Sequence, residues 1–166
     1  SVKSYNNHVG VPLSLARMPM HCGFGIFEMG MNRAGEIAAL TRQVRPHVAV
    51  ITTIAPAHIE NLGSEEAIAD AKAEIFQGLL PGGTAVIPAD TPYFERLRDA
   101  AVALGAKVVS FGKAAHADVR LLDSVPASNG GSLVTADMGG ARICYTVSAG
   151  GDHWIANSLA VMATVQ

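Results

Sequence analysis

The sequence predicts an α/β fold, a mostly parallel sheet flanked by helices and followed by a small antiparallel meander. Three observations carry that prediction. The runs "FGIFEM" (24–29), "HVAVITTI" (47–54) and "TAVIPA" (84–89) are rich in Val, Ile and Phe and lack polar alternation, as strands buried on both faces do. Segments of helical periodicity stand between them, and strand, helix, strand in repetition means parallel pairing through right-handed crossovers. Glycine-rich turns then separate three shorter strand-like runs near the end of the chain.

Taken in order, the polar cluster Asn6, Asn7 and His8 precedes a turn at Gly10 and a helix beginning at or just after Pro12. The strand over 24–29 places Glu28 at its end, with Gly30 and Gly35 following. "GEIAALTRQV" reads as a helix and leads to the strand over 47–54. "SEEAIADAKAEIFQGL" puts Ile68, Ala71, Ile75 and Leu79 on one helical face, with Ser64 as its N-cap and two acids in its first turn. After the strand over 84–89, "YFERLRDAAVALG" reads as a helix stopped at Gly105, and "KVVSFG" (107–112) is the next strand. Beyond about residue 116, "ADVRLLDSV", "GSLVTADM" and "ARICYTVS" form the meander, expected as a small second sheet. The last helix, "DHWIANSLAVMATVQ", carries Ile155, Leu159 and Met162 on one stripe, with Asp152 placed to cap it. No internal repeat or long linker divides the chain, so it reads as one domain.

Composition excludes several classes. With 49% hydrophobic and 16% charged residues in a chain of 166, and a mean hydropathy of +0.29, there is ample material for one sizeable core. A formal net charge of -2, with Lys and Arg scattered, offers no footprint for nucleic acid or an anionic membrane. No window approaches the roughly 18 apolar residues of a membrane span. Cys22 and Cys144 lack metal-ligand spacing; a disulfide between them stays open on sequence alone, and buried free thiols of a reducing compartment are the favoured reading. The expectation is a soluble, cytoplasmic protein. Because the chain opens on Ser1 and stops at Gln166 inside a helical pattern, it reads as a piece of something longer.

In open parallel sheets, ligands gather at the carboxyl ends of the strands. Two ionisable residues are expected there, Glu28 after the first strand and His58 after the second. Lys72 lies on the next helix beside the apolar stripe. Positions 68, 69, 75 and 76 are Ile, Ala, Ile and Phe, so no acid three or four residues away can pair with it. Each has an ordinary reading: Glu28 as a cap or ion-pair partner, His58 as a hydrogen-bonded loop residue, Lys72 as a surface lysine laying its stem on apolar neighbours. Convergence favours the other reading, since a carboxylate and an imidazole at adjacent strand ends suit a divalent cation holding phosphates. Neither GxxxxGK[ST] nor GxGxxG occurs, so a nucleotide enzyme would need its phosphate loop from outside this chain. Nothing resembles a Ser-His-Asp or Cys-His arrangement for nucleophilic hydrolysis.

The stretches "NNHVGVPLSL", "EMGMNRAGEI", "AHIENLGS" and "AKAEIFQGL", in this order, resemble the central domain of the Mur ligase family, and "GGDHWIANSLAVMA" is similar to its segment leading to the carboxyl-terminal domain. The resemblance covers nearly the whole chain, the meander from about 116 to 147 only loosely. It implies the central, ATP-binding domain (1–166) of an ATP-dependent amide ligase of peptidoglycan precursor synthesis. The substrates implied are UDP-N-acetylmuramoyl-tripeptide and D-alanyl-D-alanine, joined through an acyl phosphate with magnesium organising both steps. The phosphate loop, the amino-terminal UDP-sugar domain and the carboxyl-terminal domain would lie outside this chain, which alone would be inactive.

Residue by residue, the resemblance makes Glu28 and His58 magnesium ligands and Lys72 the lysine carried as a carbamate, with Lys72 and His58 catalytic. Asn6 or Asn7 would lie near the γ-phosphate, Asn157 would contact adenine, and His153 stands at the family histidine before it. Trp154 departs from the more frequent Asn, and Pro88 from the Asn of "NxD", leaving Asp90. Two other readings remain open, a non-catalytic scaffold module of the same fold and a related ligase that adds another amino acid or adds glutamates to folate.

Overall fold

The computed structural model describes residues 5–56, 59–128 and 130–166. Its helices are α1 (Gly10–Ala16), α2 (Glu36–Val44), α3 (Ile59–Leu62), α4 (Glu65–Ala73), α5 (Phe94–Ala103) and α6 (Asp152–Thr164). Its strands are β1 (Val48–Val50), β2 (Thr84–Pro88), β3 (Lys107–Gly112), β4 (Val119–Pro126), β5 (Ser132–Met138) and β6 (Ala141–Val147). They form one sheet in the order β1-β2-β3-β4-β5-β6. β1 to β4 run parallel, and β5 and β6 are antiparallel additions.

Because successive strand residues face opposite ways, β2 serves two cores at once. Ala85 and Ile87 pack with Ala49, Ala69, Phe76 and Leu97 beneath α4 and α5. Val86 points the other way, into a cluster of Phe111, Val119, Leu159 and Ala163 under α6. All three β2 residues are fully buried, as the unalternating run "TAVIPA" demands. Burying one such side chain is worth about 1.5–3 kcal/mol. A third, smaller cluster of Met31, Ile37, Ile68 and Ala71 docks the loop after residue 24 and α2 onto α4.

α4 starts where Ser64 accepts a hydrogen bond from Ala67 N at 3.2 Å, the expected N-cap. It then tightens into a 3-10 turn over Glu74–Gly78. That turn is pressed against α2. Thr41 Oγ1 donates to Ile75 O at 2.7 Å, and a Cβ on Gly78 would overlap the Thr41 backbone, so only glycine allows the approach. On the other side of the sheet, the Tyr145 hydroxyl and Ser158 Oγ lie 2.8 Å apart and link β6 to α6.

Five expectations need correction. The run 24–29 is not a strand: Phe24 and Ile26 are 90% and 89% exposed, and among the described residues no strand pairs with it. A strand exists by its ladder, and apolar composition cannot supply the partner. The meander is not a second sheet. Phe111 and Gly112 of β3 pair in parallel with the start of β4, whose remaining length pairs antiparallel with β5, so one strand joins both halves. α1 begins at Gly10 rather than at Pro12, because the Asn7 side chain caps its entry. The N-cap of α6 is Gly151, and Asp152 instead pairs with Lys113. Both cysteines are free as expected but exposed, Cys22 in the loop after α1 and Cys144 on β6. Among the described residues no helix is long and apolar enough to cross a membrane.

Candidate functional site

The carboxyl ends of β1, β2 and β3 open toward the first turns of α6 and enclose a cavity of about 280 Å³. Pro88, Phe111, Ile155 and Leu159 give it apolar walls, and Thr53 and Lys113 are polar residues of its lining. Asp90 organises this end of the sheet. Its carboxylate accepts from Lys113 N at 2.9 and 2.8 Å and from Ala114 N at 2.7 Å, tying the end of β2 to that of β3. The Lys113 ammonium then reaches Asp152 at 3.2 Å, in the first turn of α6.

Lys72 lies in the last turn of α4, half-buried, and its Nζ donates to Thr53 O at 2.7 Å. No acid stands three or four residues from Lys72 on its own helix, and its ammonium is met instead by a backbone carbonyl from beyond β1. Burial holds the Lys72 amine below the usual lysine range, because removing water disfavours its charged form.

Glu28 is exposed in the loop before α2, and its Oε1 accepts from Asn6 Nδ2 at 3.0 Å. Gly30 N donates to Asn6 O at 2.7 Å, fixing the two segments side by side. Asn7 is occupied differently: its Oδ1 accepts from Val9 N at 3.1 Å and Gly10 N at 2.9 Å, capping the entry to α1. Beside them lies a second, polar cavity of about 400 Å³, lined by Asn6, His8, Asn32 and Glu36 among others. Glu36 Oε2 accepts from Asn32 N at 2.7 Å and Arg33 N at 3.3 Å, and the Asn32 bond above all holds its carboxyl below the usual range.

The structure thus brings Asn6 against Glu28 and places Lys72 on the helix against which the Glu28 loop docks, since Met31 packs with Ile68 and Ala71. The side chains of Glu28 and Lys72 have separate partners, Asn6 and Thr53. His58 lies outside the described residues. Among those described, no three His, Cys, Asp or Glu side chains group as a metal site. His153 and Asn157 are exposed on one face of α6, four residues apart, whereas Asp152, Ile155, Ala156 and Leu159 line the cavity of about 280 Å³. The His153 ring leans on Trp154, with centroids 5.5 Å apart.

Sequence reasoning assigned no role to Thr53, whose contribution is a backbone atom and leaves no side-chain signal. It also passed over Lys113 and Glu74. The second stands inside the quoted stretch "AKAEIFQGL", and that position was the available clue.

Comparison with known proteins bears on this arrangement. The ligase named UDP-N-acetylmuramoyl-tripeptide--D-alanyl-D-alanine ligase from Bacillus subtilis is 34% identical over 96% of this chain, which spans 33% of that protein. The crystal structure of MurF from Acinetobacter baumannii superposes with a TM-score of 0.90 at 28% identity, covering 97% of this chain and 34% of that one. MurF ligase from Thermotoga maritima in complex with ADP superposes at 0.80 with 27% identity, over 94% of this chain and 36% of that one. The chain therefore spans about a third of the length of the proteins it matches. With the six-stranded sheet and its helices in place, and the model of the Mur ligase middle domain matching residues 1–165, this chain belongs to the Mur ligase middle-domain family.

Proposed function

We propose that this chain is the ATP-binding central domain of a ligase that joins D-alanyl-D-alanine to UDP-N-acetylmuramoyl-tripeptide in peptidoglycan precursor synthesis. The observation that carries the reading is the 34% identity to the Bacillus subtilis ligase over 96% of this chain. The amino-terminal and carboxyl-terminal domains and the phosphate loop belong, on this reading, to the remainder of a longer cytoplasmic protein, and the domain by itself is inactive. The free Cys22 and Cys144 agree with a reducing compartment.

The donor chemistry fits a divalent cation. Glu28 is an exposed carboxylate held through one oxygen by Asn6, which leaves the other for a ligand. Lys72 as an ammonium would repel magnesium. Its half-buried amine, shifted toward the neutral form that reacts with CO2, becomes an oxygen donor once carbamylated. A carbamate nitrogen keeps one N–H, so the bond to Thr53 O survives the modification and can orient it. His58 completes the set in this reading. Magnesium, when bound, neutralises phosphate charge during transfer from ATP.

The remaining residues position. Asn6 holds Glu28, Asn7 holds the start of α1, and Asp90 with Lys113 holds the sheet end against α6, where His153 and Asn157 are assigned to the nucleotide. The substrate carboxylate attacks the γ-phosphate of ATP, ADP leaves, and the amine of D-alanyl-D-alanine displaces phosphate from the resulting acyl phosphate. The test is an assay of the full-length protein: ADP release should require both the tripeptide nucleotide and D-alanyl-D-alanine. Equal turnover with glutamate and a folate in their place would overturn the assignment. The isolated domain should bind ATP weakly, and a micromolar Kd by calorimetry would contradict that part.

A further inference from the structure

α2 has an unusual beginning. Its N-cap is Gly35, whose φ of 89° lies in the left-handed region that favours glycine, so this position has no side chain to cap the helix. An N-cap side chain ordinarily accepts from the third helical residue, here Ala38. Glu74, from the 3-10 turn that continues α4, supplies that function from 36 residues away. Its Oε2 accepts from Ala38 N at 3.1 Å and its Oε1 from Gly35 N at 2.6 Å. An anionic group at a helix N-terminus is also favoured by the helix dipole.

Two stretches that the sequence singles out separately therefore meet at one carboxylate. "EMGMNRAGEI" carries Glu28 and leads into Gly35, and "AKAEIFQGL" carries Lys72 two residues before Glu74. The seam around this contact is densely made. Thr41 Oγ1 donates to Ile75 O at 2.7 Å, and Arg42 Nη2 donates to Gln77 Oε1 at 2.7 Å. The loop bearing Glu28 is thus registered against the helix bearing Lys72 through the start of α2.

We infer that Glu74 is a positioning residue, whose double hydrogen bond to Gly35 and Ala38 sets the placement of Glu28 relative to Lys72 for the divalent cation. This rests on the magnesium reading proposed above. Glu74 touches neither substrate nor cation; it acts by fixing the two elements that do. Its loss loosens a pair of oxygen donors that must stay in near-octahedral register, a geometry magnesium tolerates poorly when strained.

The test uses the full-length protein with Glu74→Gln, which retains one acceptor and the volume, and Glu74→Asp, which retains the charge but shortens the reach. Both should raise the magnesium concentration for half-maximal rate about ten-fold, with kcat at saturating magnesium changed less than three-fold. A second readout does not depend on turnover: Mn2+ binding in the presence of ADP, followed by water-proton relaxation, should weaken by a similar factor. Amide exchange at Gly35 and Ala38 should quicken in step. A lowered unfolding midpoint with unchanged magnesium dependence and unchanged Mn2+ binding would reduce Glu74 to a structural cap and overturn the inference. Lys72→Ala separates the two layers. If it keeps full activity, the magnesium reading itself falls; if it is inactive while the Glu74 variants bind metal normally, only the positioning role falls.

Discussion

Lys72 Nζ donates a hydrogen bond to the backbone carbonyl of Thr53 at 2.7 Å, so the cation from α4 is tethered to the chain leaving β1. Thr53 also lines the cavity at the carboxyl ends of the strands. The tether joins the lysine to the rim where the fold gathers ligands. It holds the amine without a countercharge, which leaves desolvation free to lower its pKa.

That depression has a sign in stability. Between the lowered value and the ordinary lysine value, the unfolded chain binds more protons at this site than the native one, so stability rises with pH across that window. Below the window the cost of burying the ammonium is fully present. Lys72→Met should therefore remove an alkaline rise in stability, measured as the difference in denaturation midpoints between neutral pH and pH about 10. An unaltered pH profile would contradict the burial argument. In the full-length protein, 13C-labelled bicarbonate should give a carbamate resonance that Lys72→Arg abolishes.

Asn6 and Asn7 should separate cleanly on substitution. Asn7→Ala removes a cap bonded to Val9 N and Gly10 N and should cost about 1 kcal/mol of stability, read by denaturant melts. Asn6→Ala breaks only an exposed bond to Glu28, and should change stability by less than about 0.5 kcal/mol while raising the magnesium requirement of the full-length protein. The opposite ranking in the melts would refute the division of roles.

Gly78→Ala drives a methyl group into the Thr41 backbone at the seam between α2 and the 3-10 turn. Overpacking of this kind costs about 1–3 kcal/mol, and here neither backbone can retreat without breaking the Thr41 bond to Ile75 O. Urea titration should show a lowered midpoint. A loss under about 0.5 kcal/mol would mean the seam is looser than described.

Two polar contacts of α4 should differ in worth. Ser64→Ala deletes the N-cap bond to Ala67 N and should cost about 1 kcal/mol. Arg96→Ala deletes a bidentate pair with Asp70 at 2.6 and 3.1 Å, but both side chains are half-exposed, so the loss should stay within about 1 kcal/mol and shrink with added salt. A salt-insensitive loss at Arg96 would assign it a packing role instead.

Much of the fold was legible because its signals are local. Unalternating apolar runs marked β1 and β2, "KVVSFG" spans the same residues as β3, and Ser64 announced the start of α4. Glycine turns marked the hairpin strands β5 and β6. The run 24–29 misled because Phe and Ile describe a preference, whereas a strand also needs a neighbour to accept its backbone bonds. The union of the two halves in one sheet rests on two residue pairs between β3 and β4, which no local pattern encodes.

By itself the sequence determined the α/β character, the order of the longer elements from α2 onward and the residue types expected to carry chemistry, since periodicity, caps and turns act over a few residues. Only the tertiary structure decided that Asn6 rather than Asn7 turns to Glu28, that Lys72 is met by a carbonyl, and that Glu74 caps a helix across the chain. These contacts join residues 19 to 39 positions apart or divide neighbours between different partners. Hydrogen bonds of that reach are chosen by which surfaces pack together, a property of the folded core that short-range pattern does not contain.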